Sequence, residues 1–134
     1  MIGSSRIRSV KQLLLVGIGG GIGAIARWKL GGLILHHTTE WRFPLATFIV
    51  NFAGCLVGGI LAGLVAKRDL FAADTRVFLF TGLLGGFTTF SAFSLETVYL
   101  LRRKDIAVAL GYVLLSVVGG IAAFWIALSS MHRK

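Results

Sequence analysis

The chain is 134 residues long, 56% hydrophobic and only 14% charged, against roughly 25% charged residues in an ordinary soluble domain. Its 14 Lys and Arg outnumber 5 Asp and Glu for a net charge of +9. These basic residues are scattered among membrane edges rather than gathered on one soluble face, which points to an integral membrane protein and away from nucleic acid. A single cysteine, Cys55, rules out an intramolecular disulfide, and no Cys/His cluster has metal-ligand spacing.

A bilayer core requires about 20 apolar residues per helix, and four such runs are present, at 11–34, 44–66, 76–101 and 105–130. The predicted fold is therefore all-α, a single four-span transmembrane domain over 1–134. The connectors HHTTEWRF, KRDLFAAD and RRKD leave no room for a soluble domain between spans.

The first run follows Arg6, Arg8 and Lys11 and contains Ala24-Ile25-Ala26, which superficially matches a signal peptide with its cleavage site. It continues through Arg27-Trp28-Lys29-Leu30 into further apolar residues, as a retained helix does. Its GIGGGIGA segment lacks the third glycine of a dinucleotide fingerprint, because Ile22 stands there. Small-xxx-small spacings recur at Gly17/Gly21, Gly19/Gly23, Gly54/Gly58, Gly59/Gly63 and Gly82/Gly86. In lipid such stripes let helix backbones approach closely, and a surplus of them suggests a dimer.

The second span carries Thr47 and Asn51, four residues apart on one helix face. In the third, Gly85–Glu96 reads GGFTTFSAFSLE, a polar interruption where hydrocarbon offers no hydrogen-bond partner. The glycine pair followed by two threonines predicts a helix break over Gly85–Thr88, tolerated only where it is buried in protein or lines a cavity. Phe87, Phe90 and Phe93 recur every three residues with Thr88, Ser91 and Ser94 one step round. Aromatic rings have positive edges, so such a ladder suits an anion without fixed charge. The competing reading is an ordinary apolar face whose hydroxyls bond their own helix carbonyls four residues back. The fourth span repeats the polar stripe with Tyr112 and Ser116.

With four spans, Arg6, Arg8, Lys11, Lys67, Arg68, Arg76, Arg133 and Lys134 share one side, and Arg27, Lys29, Arg42, Arg102, Arg103 and Lys104 the other. Loops rich in Lys and Arg stay in the cytoplasm. The N-terminal cluster favours a cytoplasmic N-terminus, while the near balance permits insertion in both orientations.

At these residues the sequence resembles the Fluc (CrcB-like) fluoride channels. The resemblance rests on Gly19–Ala24 followed by Arg27, on Thr47–Gly54, and above all on Thr81–Glu96, and with length and span number it covers essentially the whole chain. It implies a channel rather than an enzyme: a multi-pass protein of the cell membrane, an antiparallel dual-topology homodimer with two pores, passing fluoride passively out of the cytoplasm. It also implies a structural Na+ at the dimer centre, held in the break by backbone carbonyls of Gly85 and Thr88. By the same resemblance Phe90 and Phe93 match the pore-lining aromatic pair and Asn51 the pore asparagine. Ser91, Thr47, Tyr112 and Ser116 fit the polar positions along the path, Arg27 a vestibule arginine and Glu96 the acidic residue near one pore end. Ala92 stands where the pattern often has a hydroxyl, Phe87 where it usually has an aliphatic residue, and Ala46 where it often has glycine.

Two other readings compete. A small proton-coupled multidrug or cation antiporter also has four spans and needs a titratable acid within the membrane, for which Glu96 is the one candidate. A non-transporting assembly subunit accounts for the glycines but leaves three polar helix faces unexplained.

Overall fold

A computed structural model describes residues 2–68 and 71–132. Among these residues four helical stretches are long and apolar enough to cross a membrane: Ser9–Thr38, Leu45–Lys67, Ala73–Arg102 and Ile106–Met131. They comprise α1 (Ile2–Thr38), α2 (Leu45–Arg68), α3 (73–87), α4 (Phe90–Arg102) and α5 (106–132). The third span is thus divided between α3 and α4. Of the basic residues counted above, Arg133 and Lys134 lie outside the described residues, as do Asp69 and Leu70 of the second connector and the side chains of Arg6, Arg8 and Arg68.

α1 runs past the apolar boundary at residue 34 because nothing stops it before Thr38, whose hydroxyl donates to the Ile34 carbonyl at 2.9 Å. A turn closed by Trp41 N–H on the Thr38 carbonyl (3.0 Å) leads to Pro44, whose carbonyl accepts from Phe48 N–H at 3.1 Å as α2 begins. Proline fits at a helix start, where its missing N–H costs no intrahelical bond. α4 ends with Lys104 at φ 62°, Lys104 N–H on the Leu101 carbonyl and Asp105 N–H on the Leu100 carbonyl, both at 3.0 Å. That is a Schellman closure in which a lysine occupies the left-handed position usually given to glycine.

Ion pairs tie the ends together. Lys11 meets Asp74 at 2.6 Å, joining the third turn of α1 to the start of α3. At the opposite end Arg42 meets Asp105 at 3.1 Å, joining the α1–α2 connection to the α4–α5 turn.

Glycine governs the interior. Gly19 and Gly82 approach so closely that a Cβ on Gly19 would lie 2.8 Å from the Phe78 carbonyl oxygen and 3.1 Å from Gly82 Cα, and Gly86 lies against the backbone of Gly20. α1 and α3 therefore pack backbone on backbone, which gains dispersion contacts that lipid cannot match. α2 also packs closely on α5, with Gly59 against the Phe124 carbonyl and Gly63 against the Met131 side chain. Gly17 and Gly21 face open space. Phe93, Leu100, Ala109 and Tyr112 form the buried core, with Phe43 and Phe48 packed around them. Exposed Leu, Ile and Trp cover the outer faces of α1 and α5, as a lipid-facing surface requires.

The third span departs from the expected break. It is π-helical over Val77–Leu84 and α-helical over Gly85–Phe87. The chain becomes extended only at Thr88 (φ −82°, ψ 157°) and Thr89 (φ −146°, ψ 115°). The glycines stay helical because their role is close packing on α1. The β-branched threonines take the extended conformation that suits them. The break also interrupts the three-residue ladder: Phe87 belongs to α3, while Phe90 and Phe93 belong to α4.

Candidate functional site

α2 organises the break through one face. Thr47, Asn51 and Gly54, at i, i+4 and i+7, lie one above another, and each meets a different residue of the third span. Asn51 clasps Thr89: its Nδ2 donates to the Thr89 carbonyl at 3.0 Å and its Oδ1 accepts from the Thr89 N–H at 2.8 Å. The extended backbone thereby recovers both hydrogen bonds that the helix gave up, which lipid could not have supplied. An asparagine amide carries two N–H groups, and only one is used in this clasp. The Thr89 hydroxyl then accepts from Ala92 N–H at 3.2 Å, serving as the N-cap of α4.

Around the clasp lies a cavity of about 270 Å³ lined by Asn51, Thr88, Thr89, Phe90, Phe93 and Ser116, with Cys55 and Val117. The lining contains no charged side chain. Phe90 and Phe93 have ring centroids 5.4 Å apart at 43°, yet their surroundings differ sharply. Phe93 is 9% exposed and belongs to the core, whereas Phe90 is 78% exposed on the face of the single chain. The Ser116 hydroxyl is buried without a hydrogen-bond partner among the described residues. It lies in a π-helical turn of α5, Leu115–Gly119. Widened turns of this kind recur at functional positions.

A second polar group adjoins the first. Glu96 accepts from Thr47 Oγ1 and from the Tyr112 hydroxyl, one on each carboxylate oxygen and both at 2.7 Å. Tyr112 is fully buried, and its ring lies 5.1 Å from that of Phe93. Phe93 is therefore the shared wall between the cavity and the Thr47–Glu96–Tyr112 group.

The other polar residues and Gly85 are more dispersed. The Ser91 hydroxyl is 3.2 Å from that of Thr89. Ser94, Thr97 and Thr88 each donate to the carbonyl four residues back, at 2.9, 2.7 and 3.0 Å. These three hydroxyls thus follow the plain helical reading. Arg27 is removed from the cavity and donates from Nε to the Gly86 carbonyl at 3.1 Å, beside the end of α3. Gly85 does not line the cavity, while Thr88 does.

Among the described residues no group of three or more His, Cys, Asp or Glu is placed to hold a metal. The C-terminal end of α3 instead offers backbone oxygens. The Leu84 carbonyl accepts from Thr88 and the Gly86 carbonyl from Arg27, but no hydrogen bond from a described residue reaches the carbonyls of Gly85 or Thr88. Hard oxygen donors of that kind suit a hard cation.

Thr89, Cys55 and Gly54 carry contacts that sequence reading did not assign to them. Thr89 had a legible signal, standing directly before an apolar helical run with Ala92 three residues on. The partners of Cys55 and Gly54 come from other spans and leave no local signal.

The family model described as CrcB-like protein, Camphor Resistance (CrcB), matches residues 14–128. The chain is 53% identical over 115 residues to the Fluoride-specific ion channel FluC of Methylobacillus flagellatus, covering 86% of this chain and 90% of that protein. It is 52% identical over 110 residues to the protein of the same name from Paracoccus denitrificans, covering 82% and 86%. With that of Pseudomonas fluorescens it shares 44% identity over 122 residues, covering 90% and 96%. These matches span the break, the clasping face of α2 and the core of α5 alike, and the chain belongs to the CrcB-like (FluC) family.

Proposed function

We propose that this protein is a fluoride-selective channel of the cell membrane, releasing fluoride passively from the cytoplasm, and that the ion passes the break in the third span. The observation that carries this reading is the cavity at the clasp, whose lining offers neutral donors and two aromatic rings and no fixed charge. Fluoride is small and strongly hydrated, so a pore must replace its water shell closely without holding the ion too firmly. The second N–H of Asn51, the unpartnered Ser116 hydroxyl and the edges of Phe90 and Phe93 are suited to that exchange. Thr47, Tyr112 and Ser91 continue the polar track. Glu96, held by two hydroxyls, marks one end of it, and Arg27 lies near a vestibule.

The working unit in this reading is an antiparallel homodimer with two pores. The exposed ring of Phe90 and the open glycine face of Gly17 and Gly21 support it, since both need a covering surface. The carbonyls of Gly85 and Thr88 would hold a sodium ion together with their counterparts in the second copy. Bound there, the ion supplies positive charge that neutralises the carbonyl ends of two broken helices; the chain itself orients those carbonyls through the α3 end and the Asn51 clasp.

Proton-coupled antiport finds less support, because both oxygens of Glu96 are committed to hydroxyl donors and Glu96 does not line the cavity. Asn51→Ala and Phe90→Ile test the path. Each is expected to reduce fluoride efflux from liposomes severely while the protein still assembles as a dimer. Unchanged efflux in both variants would remove the cavity from the route.

A further inference from the structure

We propose that Gly54 is a positioning residue for the ion path, because its missing side chain forms the seat into which the Thr88 methyl fits and so fixes the extended Thr88–Thr89 pair. A Cβ built on Gly54 would overlap Thr88 Cγ2, while the next nearest atoms, Phe87 Cδ1 and Cε1, stand at 3.5 and 3.8 Å, ordinary contact distances. The conflict therefore involves one methyl group. That methyl cannot rotate away without loss, since Thr88 Oγ1 donates to the Leu84 carbonyl at 3.0 Å and a different side-chain rotamer breaks this bond.

Relief must then come from the Thr88 backbone. Its neighbour Thr89 is bonded through both backbone groups to Asn51, three residues before Gly54 on α2. Any shift at Thr88 is thus transmitted to the clasp and to the cavity wall formed by Asn51, Thr88, Thr89 and Phe90. Gly54 differs in this respect from Gly23, Gly59 and Gly86, which meet backbone carbonyls of neighbouring helices. At those positions no single side-chain change can make room. At Gly54 one can: serine at position 88 keeps the hydroxyl and removes the methyl.

The inference rests on the reading that fluoride passes the break, and its test separates the two. Fluoride efflux and thermal midpoint are measured for the wild type, Gly54→Ala, Thr88→Ser and the double variant. Gly54→Ala is expected to lower efflux about tenfold or more when position 88 is threonine and less than about threefold when it is serine, the pattern of a localised overpacking relieved at its source. Gly59→Ala, which meets the Phe124 carbonyl, is expected to gain nothing from Thr88→Ser.

The proposal is overturned if Gly54→Ala conducts as the wild type does, if Thr88→Ser does not relieve it, or if Thr88→Ser relieves Gly59→Ala equally. Should Gly54→Ala fail to assemble, the same comparison is made on assembly: a double variant that assembles supports the seat, and one that does not refutes it. A wild type that releases no fluoride sinks the conduction reading alone, while the thermal midpoints of the four proteins still report on the seat.

Discussion

At the scale of single residues, the site depends on which hydrogen bonds each polar side chain has already made. Asn51 spends one N–H and its carbonyl oxygen on Thr89, so its structural role and its proposed contact with an ion draw on different atoms. Tyr112 is wholly buried and donates to Glu96, which also accepts from Thr47. Tyr112→Phe leaves one carboxylate oxygen with no donor and is expected to cost about 1–3 kcal/mol of stability. Thermal unfolding in detergent checks this; a midpoint equal to that of the wild type would mean that water replaces the hydroxyl at no cost. The residues themselves were legible in the sequence, because Thr47 with Asn51 and Tyr112 with Ser116 each share a helix face by spacing alone. Their pairing was not. That Thr47 and Tyr112 converge on Glu96 depends on how α2, α4 and α5 pack, which no local pattern encodes.

At the scale of elements, the third span shows how glycine and threonine divide the work. Gly82 and Gly86 allow α3 to lie against α1, while Thr88 and Thr89 turn the chain out of the helix. The existence of a break is legible from GGFTTFSAFSLE, and of the expected Gly85–Thr88 the last residue is extended, with Thr89 beside it, while the glycines stay helical. Local propensity favours Gly85-Gly86 as the weak point, and close packing on Gly20 overrides it. Phe87, Phe90 and Phe93 read as one ladder for a related reason, since a three-residue spacing keeps a common face only within an uninterrupted helix. The turn between α4 and α5 carries a small local cost as well. Lys104 holds φ at 62°, a conformation that disfavours residues with a Cβ by roughly 1–2 kcal/mol. Lys104→Gly is expected to raise stability by about 1 kcal/mol, read as a higher thermal midpoint in detergent, where membrane orientation plays no part.

At the scale of the whole molecule, four thin spans bury few large side chains, and glycine contacts supply much of the packing between helices. The single chain leaves Phe90 78% exposed and the Gly17/Gly21 face open. In the proposed antiparallel dimer a second copy would cover these features, and the near-even distribution of basic residues between the two sides suits insertion both ways. The lack of charge around the cavity favours passage over capture, and no acid lines it to couple protons to transport. The most direct test is ion release from liposomes containing the purified protein, loaded with fluoride or with chloride and placed in a medium free of the loaded anion. Rapid release of fluoride down its own gradient, without chloride release and without need of a proton gradient, is the predicted result. Fluoride retained in the vesicles, or equal release of chloride, would contradict it.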